Sequence, residues 1–502
     1  MVSISDRENK IGRVVATEIS PSFEAVAVRL DPGKSVRPGQ LLFTYLKGDL
    51  DSPNKMAILR VSSAKEHNPY EDPLSSHVRD RFQLESTRDK EDLLKKFTVA
   101  LTVPIEIVGI NPDGSVYFED PAYVIPAGSE VYDTADSDLV AKVLGFVPPE
   151  SPDGIEIGTT VGSEAVKVVL SANAVMPRHV LIVGSTGTGK SWCLGKITEE
   201  LHRIGVPHVN VDVHGEMISA TEELGGTTVV PGWDPLFPSE NRLTVKLSSL
   251  DEPEILEMIP LTHDLHLDIV TKALINLKQS GKEFTVDSLL REALAVADSY
   301  GAKRNTLDII EARINQLKNV PILGPGFDWK RFLGKEGAIV NVDCRGLQRS
   351  QLRIVVGAIA RELYKLRSRN EIKPLVLSID EAHLFLPSSG GSASSAVLGE
   401  IVRMGRHVGL GVILVTQSPA DLDRHAAKIT NTRLIFAIEH SELGSIQGLL
   451  ADTPEDLVRN IPRLRVGTCL LVGSRETVKH ATVVKVGERR TTHGGVTPKM
   501  KG

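Results

Sequence analysis

Cysteine and aromatic residues are scarce in this chain of 502 residues. Its three cysteines, Cys193, Cys344 and Cys469, lie far apart and form no CxxC pair, which excludes a disulfide framework and a cysteine-based zinc site. Aromatic residues make up only 4% of the chain, while 41% hydrophobic and 24% charged residues are typical of a globular protein. We therefore expect a protein of the reducing cytoplasm.

Long apolar runs and a strong net charge are also missing. No stretch approaches the ~18 apolar residues that a membrane span requires, the first ten residues are polar, and no lipidation signal is present. Membrane attachment would therefore need a partner. The formal net charge is −6, so contact with nucleic acid would depend on a local basic surface rather than on the overall field.

The first 150 residues carry the pattern of a small β domain. Short β-forming runs alternate with turn signals between residues 10 and 62, which predicts a small antiparallel barrel. The β pattern returns after residue 96, so the densely charged stretch 65–96 is interpreted as an insertion into the barrel. The linker FVPPESPDG at 146–154 ends this region. We therefore predict an N-terminal antiparallel β-barrel with a charged insertion at 1–150.

The remainder of the chain has the pattern of an α/β domain with an insert. An apolar run at 179–184, a helical segment at 190–203 and an apolar run at 208–213 predict a parallel sheet covered by helices. Helical periodicity dominates 251–333, and strand-like runs resume from residue 338. We therefore predict a core in two parts, 151–250 and 334–473, around an all-helical insert at 251–333. The segment 474–502 is interpreted as a tail that is either frayed or held by a neighbour.

A complete phosphate-binding loop follows the first apolar run. The sequence GSTGTGKS comes directly after a predicted strand and directly before a predicted helix, which is the context that the P-loop motif requires. Its glycines let backbone N–H groups point at the β-phosphate, and the helix N-terminus adds its positive dipole end. We expect Lys190 to bridge the β- and γ-phosphates and Ser191 to ligate Mg²⁺. The predicted nucleotide-binding residues are Gly184, Ser185, Thr186, Gly187, Thr188, Gly189, Lys190, Ser191 and Trp192.

Two adjacent acids end the apolar strand LVLSIDE. An ionised aspartate at a buried strand end is costly unless a cation compensates it, and Mg²⁺ is the natural candidate for Asp380. Glu381 lies one residue further on, where it can orient and deprotonate the water that attacks the γ-phosphate. Strand-end acids are also common caps in α/β proteins, so this interpretation depends on the neighbouring P-loop.

Further polar residues are predicted at the same sheet edge. Gln417 ends the strand GVILVTQ and is a candidate sensor of the γ-phosphate, although a polar strand end explains it too. Asp212 and Glu216, in VDVHGEM, can tune the attacking water or couple hydrolysis to movement, and a loop cap explains each equally well. The neighbouring His214 and His383 are interpreted as hydrogen-bonding residues rather than metal ligands.

The order of these motifs resembles the HerA family within the HerA/FtsK group of translocases. The resemblance rests on the barrel, GSTGTGKS, VDVHGE, the helical insert, LSIDEAH and GRHVGLGVILVTQSP, and it covers nearly the whole chain. It implies a RecA-like P-loop ATPase core that uses ATP and Mg²⁺. It also implies a homo-hexameric ring that pumps double-stranded DNA, works with a NurA nuclease in DNA end resection for double-strand break repair, and uses its tail to brace an adjacent subunit.

The resemblance also suggests an arginine that acts across a subunit interface. Arg406 lies eleven residues before Gln417, similar to the placement of such an arginine in these motors. A guanidinium supplied in trans stabilises charge on the transferred phosphoryl group and makes hydrolysis depend on the neighbour. Arg433 is a second candidate, and a solvent-facing salt bridge is the alternative for both. The small-residue loop 387–395 is either a DNA-contacting channel loop or a plain surface loop.

Other functions compete with a DNA pump. A conjugative or secretion ATPase shares this motor core but commonly works at a membrane, and the missing membrane span counts against it. A GTPase switch would need an Asn-Lys-x-Asp motif, which the sequence lacks. A nucleotide-gated scaffold for a nuclease stays open on sequence alone.

Overall fold

A computed structural model describes most of the chain. The described residues are 9–16, 20–46, 55–67, 97–111, 113, 115–133, 137–161, 166–232, 241–391, 393–450 and 453–494. Most of the charged stretch, residues 68–96, and the last eight residues of the predicted tail lie outside these ranges.

Seven strands form the N-terminal domain. They are β1 (Lys10–Val15), β2 (Val26–Leu30), β3 (Leu41–Tyr45), β4 (Lys55–His67), β5 (Phe97–Ile110), β6 (Val116–Glu119) and β7 (Glu130–Asp133). Six of them close in the order β2-β1-β7-β3-β4-β5 because β2 also pairs with β5, and β6 extends the sheet beside β5. Every pairing is antiparallel, and Val28, Leu42, Leu59 and Ile107 are among the residues that fill the interior. The predicted antiparallel barrel is confirmed.

A second sheet of twelve strands carries the rest of the molecule. Its strands are β8 (Gly154–Thr160), β9 (Lys167–Ser171), β10 (Val180–Val183), β11 (His208–Asp212), β12 (Thr227–Pro231), β13 (Arg242–Leu243), β14 (Ile339–Asp343), β15 (Leu375–Ile379), β16 (Leu410–Thr416), β17 (Thr432–Ile435), β18 (Thr468–Val472) and β19 (Thr482–Val486). Their order is β13-β12-β14-β11-β15-β16-β10-β17-β18-β19-β8-β9. The first eight are parallel to one another, and the last four continue the sheet in antiparallel fashion.

Helices surround this sheet and form the predicted insert. They are α1 (Ser137–Leu144), α2 (Ala172–Val175), α3 (Lys190–Arg203), α4 (Ile218–Glu223), α5 (Glu252–Met258), α6 (Asp264–Gln279), α7 (Val286–Ser299), α8 (Arg304–Asn315), α9 (Trp329–Leu333), α10 (Arg349–Ser368), α11 (Ala393–Val408), α12 (Arg424–Ile429), α13 (Leu443–Ile446) and α14 (Glu455–Asn460). Helices α5 to α9 lie between β13 and β14, so the helical insert interrupts the parallel sheet as predicted. Within the described ranges, no helix combines the length and apolar character that crossing a bilayer demands.

Parallel pairing fixes where the site must lie. Strands β10, β11, β15 and β16 are fully buried, as expected for a sheet covered on both faces. Their registers align Val183 with Thr416, and Val211 with Ile379. The residues that follow these four strands therefore meet at one edge, which is where open parallel sheets bind their ligands. We call this edge the carboxyl edge.

The barrel shares a hydrophobic core with the α/β domain. Phe43 and Tyr132 of the barrel belong to the same buried cluster as Ile155 and Ile157 of β8. Polar contacts add to this packing: His480 Nε2 lies 2.6 Å from Glu106 Oε2, Arg60 Nη2 lies 3.2 Å from Asp456 Oδ1, and Arg475 Nη2 lies 3.2 Å from Asp120 Oδ1. The two domains are therefore packed together through a continuous apolar core rather than by polar contacts alone.

Candidate active site

The P-loop backbone adopts the conformation that its glycines permit. Gly187 and Gly189 have φ angles of 77° and 114°, in the left-handed region that other residues rarely occupy. Gly184 is needed for a different reason, because a Cβ atom there would lie 2.5 Å from Cβ of Phe436. The loop leads directly into α3, whose first residue is Lys190. The N-terminus of α3 thus opens onto the loop, which is the arrangement that binds a phosphate.

Hydrogen bonds hold the loop in a closed curve. The Ser185 N–H donates to the carbonyl oxygen of Ala437 at 2.8 Å, and the Ser185 carbonyl oxygen accepts from Thr188 Oγ1 at 2.7 Å and from Lys190 Nζ at 3.0 Å. Burial lowers the pKa of Lys190, and the charges of Glu381, Asp380 and Glu216 partly oppose that shift. The ammonium group is thus largely buried. A bound phosphate would compensate its charge better than the carbonyl oxygen of Ser185 does.

Two acids follow β15, as the sequence predicts, and they lie close to this lysine. Burial and the charge of Glu381 raise the pKa of Asp380 to about 7, although the charge of His214 opposes this effect. Asp380, Glu381 and Glu216 therefore concentrate negative charge beside one lysine, an arrangement that a divalent cation would stabilise. This donor set fits Mg²⁺, with Asp380 and the hydroxyl of Ser191 as the groups that would hold it.

Glu381 is positioned by its backbone and by His214, and its second carboxylate oxygen has no hydrogen-bond partner among the described residues. Its φ and ψ angles are 49° and 47°, a left-handed conformation that is unusual for a non-glycine residue. The carboxylate is 7% exposed, with Oε1 lying 3.3 Å from Nε2 of His214 and Oε2 lying 3.3 Å from Nδ1 of His383. His383 Nδ1 is in turn 3.1 Å from Oγ1 of Thr416. The sequence interpretation of both histidines as hydrogen-bonding residues agrees with these contacts.

Gln417 contacts the P-loop directly. Thr186 Oγ1 donates to Gln417 Oε1 at 2.6 Å, which joins the end of β16 to the tip of the loop. The side of the P-loop that faces β16 and β15 therefore carries Gln417, Asp380 and Glu381. This is the side on which the terminal phosphate of a bound nucleotide is expected.

Asp212 is a loop cap, the alternative that the sequence left open. Its buried carboxylate accepts hydrogen bonds from the backbone N–H groups of Gly215, Glu216 and Met217 and from Nδ2 of Asn341. Burial raises its pKa despite these four bonds. With its oxygens so engaged, Asp212 fixes the loop that carries His214 and Glu216. Glu216 itself is half-buried beside the acids.

The two candidate arginines lie at the opposite edge of the sheet. Arg406 is exposed in the last turn of α11, before β16 begins, whereas Gln417 follows the end of that strand. The seven residues of β16 separate these two positions by roughly 20 Å at about 3.3 Å per residue. Arg433 lies near the start of β17, and its guanidinium donates to the carbonyl oxygens of Leu449 and Lys428. Neither guanidinium can reach the P-loop of its own chain.

The predicted tail is corrected by the structure as far as residue 494. Strand β19 pairs with β18 and β8 within the sheet, so the core does not end at 473. Residues 487–494, here called the C-terminal strap, then lie along α3 of the same chain. Buried Glu199 accepts hydrogen bonds from the backbone N–H groups of Arg490 and Thr491 and from the Thr491 hydroxyl. The described part of this segment is therefore ordered by contacts with its own core.

Trp192, the last of the predicted nucleotide-binding residues, contacts the strap. Its half-buried indole donates from Nε1 to the carbonyl oxygen of Gly487 at 3.0 Å and lies edge-on to His493, with ring centroids 5.9 Å apart. The strap ends against the loop that Asp212 caps, since a Cβ atom at Gly494 would lie 2.9 Å from the carbonyl oxygen of Glu216. The strap thus joins the P-loop helix to the loop that carries His214.

Sequence reasoning missed two contributors to the site. Thr416, a buried residue at the end of β16, contacts His383. Gly467 precedes β18 and donates its N–H to the carbonyl oxygen of Thr188 at 2.9 Å. The position of Thr416 one residue before Gln417 was a usable signal. Nothing in the local sequence around Gly467 indicates that it lies beside the P-loop.

The fold and this site define a P-loop ATPase. Residues 155–363 match the family model described as the central domain of helicase HerA, and residues 338–487 match the AAA-like domain. The resemblance to the HerA family that the motifs indicated is thereby confirmed.

Relatives with the HerA name align over most of the chain. A probable DNA double-strand break repair helicase HerA of Methanocaldococcus jannaschii is 27% identical over 454 residues, which cover 78% of this chain and 86% of that protein. The DNA double-strand break repair helicase HerA of Pyrococcus furiosus is 22% identical, covering 72% of this chain and 73% of that protein. Among solved structures, VirB4 of Thermoanaerobacter pseudethanolicus is similar in fold, with a TM-score of 0.53 and 15% identity over 69% of this chain and 99% of that chain.

Proposed function

We propose that this chain is an ATP-driven, hexameric translocase on double-stranded DNA that works with a NurA-type nuclease in DNA end resection at double-strand breaks. One observation carries the proposal. The carboxyl edge brings together a P-loop, a Mg²⁺-compatible aspartate, a positioned glutamate and a glutamine that contacts the P-loop, while the candidate arginine lies at the other edge. Such a chain has most of an ATPase site on one side and a contribution to a neighbour's site on the other. The names of its relatives support repair of double-strand breaks as the setting.

The residues of the carboxyl edge have separate roles in this proposal. Lys190 and the P-loop N–H groups bind the β- and γ-phosphates, and Ser191 with Asp380 holds Mg²⁺, which neutralises phosphate charge when bound. Glu381 orients the attacking water and accepts its proton, while His214 holds the carboxylate through Oε1. Gln417 contacts the γ-phosphate. Asp212 acts indirectly, by fixing the loop of His214 and Glu216.

The opposite edge supplies the coupling between subunits. In a ring of identical chains, the exposed Arg406 of one subunit faces the nucleotide of the next and stabilises the transferred phosphoryl group. Arg433 suits this role less well, because its guanidinium already donates to two carbonyl oxygens of its own chain. The barrel, which carries no phosphate-binding motif, serves ring assembly and docking of the nuclease. The predicted loop 387–395 overlaps the first turn of α11, which begins at Ala393, and its part before the helix, residues 387–391, offers small polar groups to DNA phosphates.

Stimulation of ATP turnover by double-stranded DNA tests the proposal. We expect the purified protein to hydrolyse ATP faster when linear duplex is added. Lys190→Ala should weaken ATP binding, because it removes the charge that faces the phosphates. Glu381→Gln should bind ATP normally and stop turnover, because it keeps the shape of the side chain and removes the base.

The same assay separates the competing functions. A protein that binds ATP but shows no stimulation by duplex would contradict a DNA pump and favour a nucleotide-gated nuclease scaffold. A Glu381→Gln protein that turned over ATP at the parental rate would show that Glu381 is not the base. Electron microscopy with and without duplex measures ring symmetry and channel occupancy independently of turnover.

A further inference from the structure

The orientation of a bound nucleotide follows from the two sides of the P-loop. On one side, β16 and β15 bring Gln417, Asp380 and Glu381 to the loop, so the terminal phosphate points that way. The chain of phosphates is extended, so the ribose and base must leave the loop on the other side. That side is occupied by β17 and then β18, which runs antiparallel to β17 and therefore begins at the carboxyl edge.

A rigid frame lies at that position. Gly467, directly before β18, donates its N–H to the carbonyl oxygen of Thr188 in the P-loop at 2.9 Å. Its own carbonyl oxygen accepts from the N–H of Val486 at 2.9 Å. A Cβ atom on Gly189 would lie only 3.2 Å from Gly467. The loop before β18 is thus fixed against the P-loop on one side and against the end of β19 on the other.

This frame presents an apolar side chain to solvent. Val466 is 76% exposed, more than any other large hydrophobic residue of the described ranges. A single exposed valine has no meaning by itself. Here it is held beside the phosphate loop by the hydrogen bonds of the next residue, on the side where the base must lie. The indole of Trp192, bonded to Gly487 at the end of β19, lies on the same side of α3.

We propose that the loop at residues 465–467 forms the nucleobase subsite of the nucleotide site, with Val466 packing against the face of the adenine ring. The inference rests on the ATP binding assigned above and adds to it a contact for the base. An apolar contact suits a flat aromatic base, whose faces gain from leaving water, and it does not depend on the phosphates. The subsite would therefore add affinity for ATP without changing the chemical step.

The test compares two ligands that differ in the base. ATP and inorganic tripolyphosphate both occupy a P-loop, but tripolyphosphate has no base or ribose. We expect Val466→Ser to weaken equilibrium binding of ATP about tenfold, from the apolar area that it removes, and to leave tripolyphosphate binding unchanged. Val466→Leu should retain ATP affinity. The matched control is Val124→Ser, which changes a 48% exposed valine on the barrel.

Two outcomes would overturn the inference. Parental ATP affinity in Val466→Ser would show that Val466 does not contact the base. An equal loss for ATP and tripolyphosphate would show that the loop only supports the P-loop. Because the experiment measures binding in the absence of DNA, a failure of DNA-stimulated turnover would contradict the proposed function and leave this result intact.

Discussion

Glu381 illustrates how the site is organised at the scale of single residues. A left-handed backbone at a non-glycine residue costs roughly 1–3 kcal/mol, and such strain persists only where neighbouring structure imposes it. Buried β15 ends at Ile379, two residues before Glu381, and the Leu384 N–H donates to the Glu381 carbonyl oxygen at 2.8 Å, which closes the turn after it. His214 Nε2 then contacts Oε1, whereas Oε2 is buried without a hydrogen-bond partner among the described residues. The proposed base is therefore positioned mainly by its backbone and by His214.

Buried His208 gives a prediction about stability at low pH. It lies in β11 with no exposed surface, and neither ring nitrogen has a hydrogen-bond partner among the described residues. Burial lowers its pKa to about 3. The folded protein thus favours the neutral ring. Its stability is therefore full above the unfolded pKa of about 6.5 and falls as the pH drops towards the pKa of the folded state.

Replacing this histidine should remove that dependence. At pH 5, about 1.5 pH units below the unfolded pKa, keeping His208 neutral lowers the free energy of unfolding of the parental protein by about 2 kcal/mol, at about 1.36 kcal/mol per pH unit. We expect His208→Leu to raise the thermal midpoint relative to the parent at pH 5, with a smaller change at pH 7.5. His425→Leu, at an exposed position, is the control. If His208→Leu shifted the midpoint equally at both pH values, protonation of His208 would not be the cause.

The residues of the site differ in how far sequence could identify them. Lys190, Asp380, Glu381 and Gln417 follow apolar runs whose parallel pairing fixes a common edge, so their proximity was predictable. The role of Asp212 could not be predicted from sequence, because a strand-end acid has the same sequence context whether it binds a cation or accepts hydrogen bonds from backbone N–H groups. Only the four hydrogen bonds to its carboxylate separate the two cases.

Strand pairing limited prediction at the scale of elements. The parallel strands and α3 were evident because buried runs alternate with a helix, and the helical insert was evident from its period. Strands β18 and β19 were harder to predict, because they continue a parallel sheet in antiparallel fashion. Strand β19 also lies beyond the last apolar run that is accompanied by a recognisable motif. The strap was missed because Gly, Thr and Arg carry no periodic pattern. Its order comes from buried carboxylates on α3, which are distant in sequence.

The strap gives a prediction about one buried ion pair. Burial raises the pKa of Glu199, but hydrogen bonds from Thr491 and the backbone of Arg490 and Thr491 outweigh this effect and lower it overall. The stabilisation is therefore present above the ordinary glutamate pKa and is lost as the pH falls through the folded value. The side chain of Arg489 has no exposed surface, and its Nε lies 3.7 Å from Glu199 Oε1.

Glu199→Gln should release the strap from α3. Removing one partner of a buried ion pair costs about 3–5 kcal/mol because the other charge stays buried. We therefore expect tryptic cleavage after Arg489 and Arg490 to accelerate by more than tenfold, measured by mass spectrometry of timed digests. Glu223→Gln is the control, since exposed Glu223 also accepts hydrogen bonds from Thr492 of the strap but belongs to no buried ion pair. Equal cleavage of the parent and Glu199→Gln would mean that other contacts hold the strap.

At the scale of the whole molecule, the proposed function assigns a role to each edge of the parallel sheet, and this polarity suits a ring. The carboxyl edge carries the nucleotide site, and Arg406 lies roughly 20 Å away at the other end of β16, at about 3.3 Å per residue of the strand. An arginine so placed is too far from the nucleotide site of its own chain to act there. Arginine fingers contribute about 10³ to 10⁵ in turnover, so Arg406→Ala should almost abolish ATP hydrolysis and leave ATP binding by the same chain nearly unchanged.

Mixing two inactive proteins tests whether the site is shared between subunits. Arg406→Ala lacks the trans arginine, and Glu381→Gln lacks the base, so each should be inactive alone. In rings assembled from both, some interfaces join an intact arginine to an intact base, and ATPase activity should partly return. Lys190→Ala mixed with Glu381→Gln is the control, because both changes damage the same side of the interface and every site lacks one of the two groups. If Arg406→Ala alone kept full DNA-stimulated turnover, the shared site would not depend on Arg406, and Arg433 would be the next residue to replace.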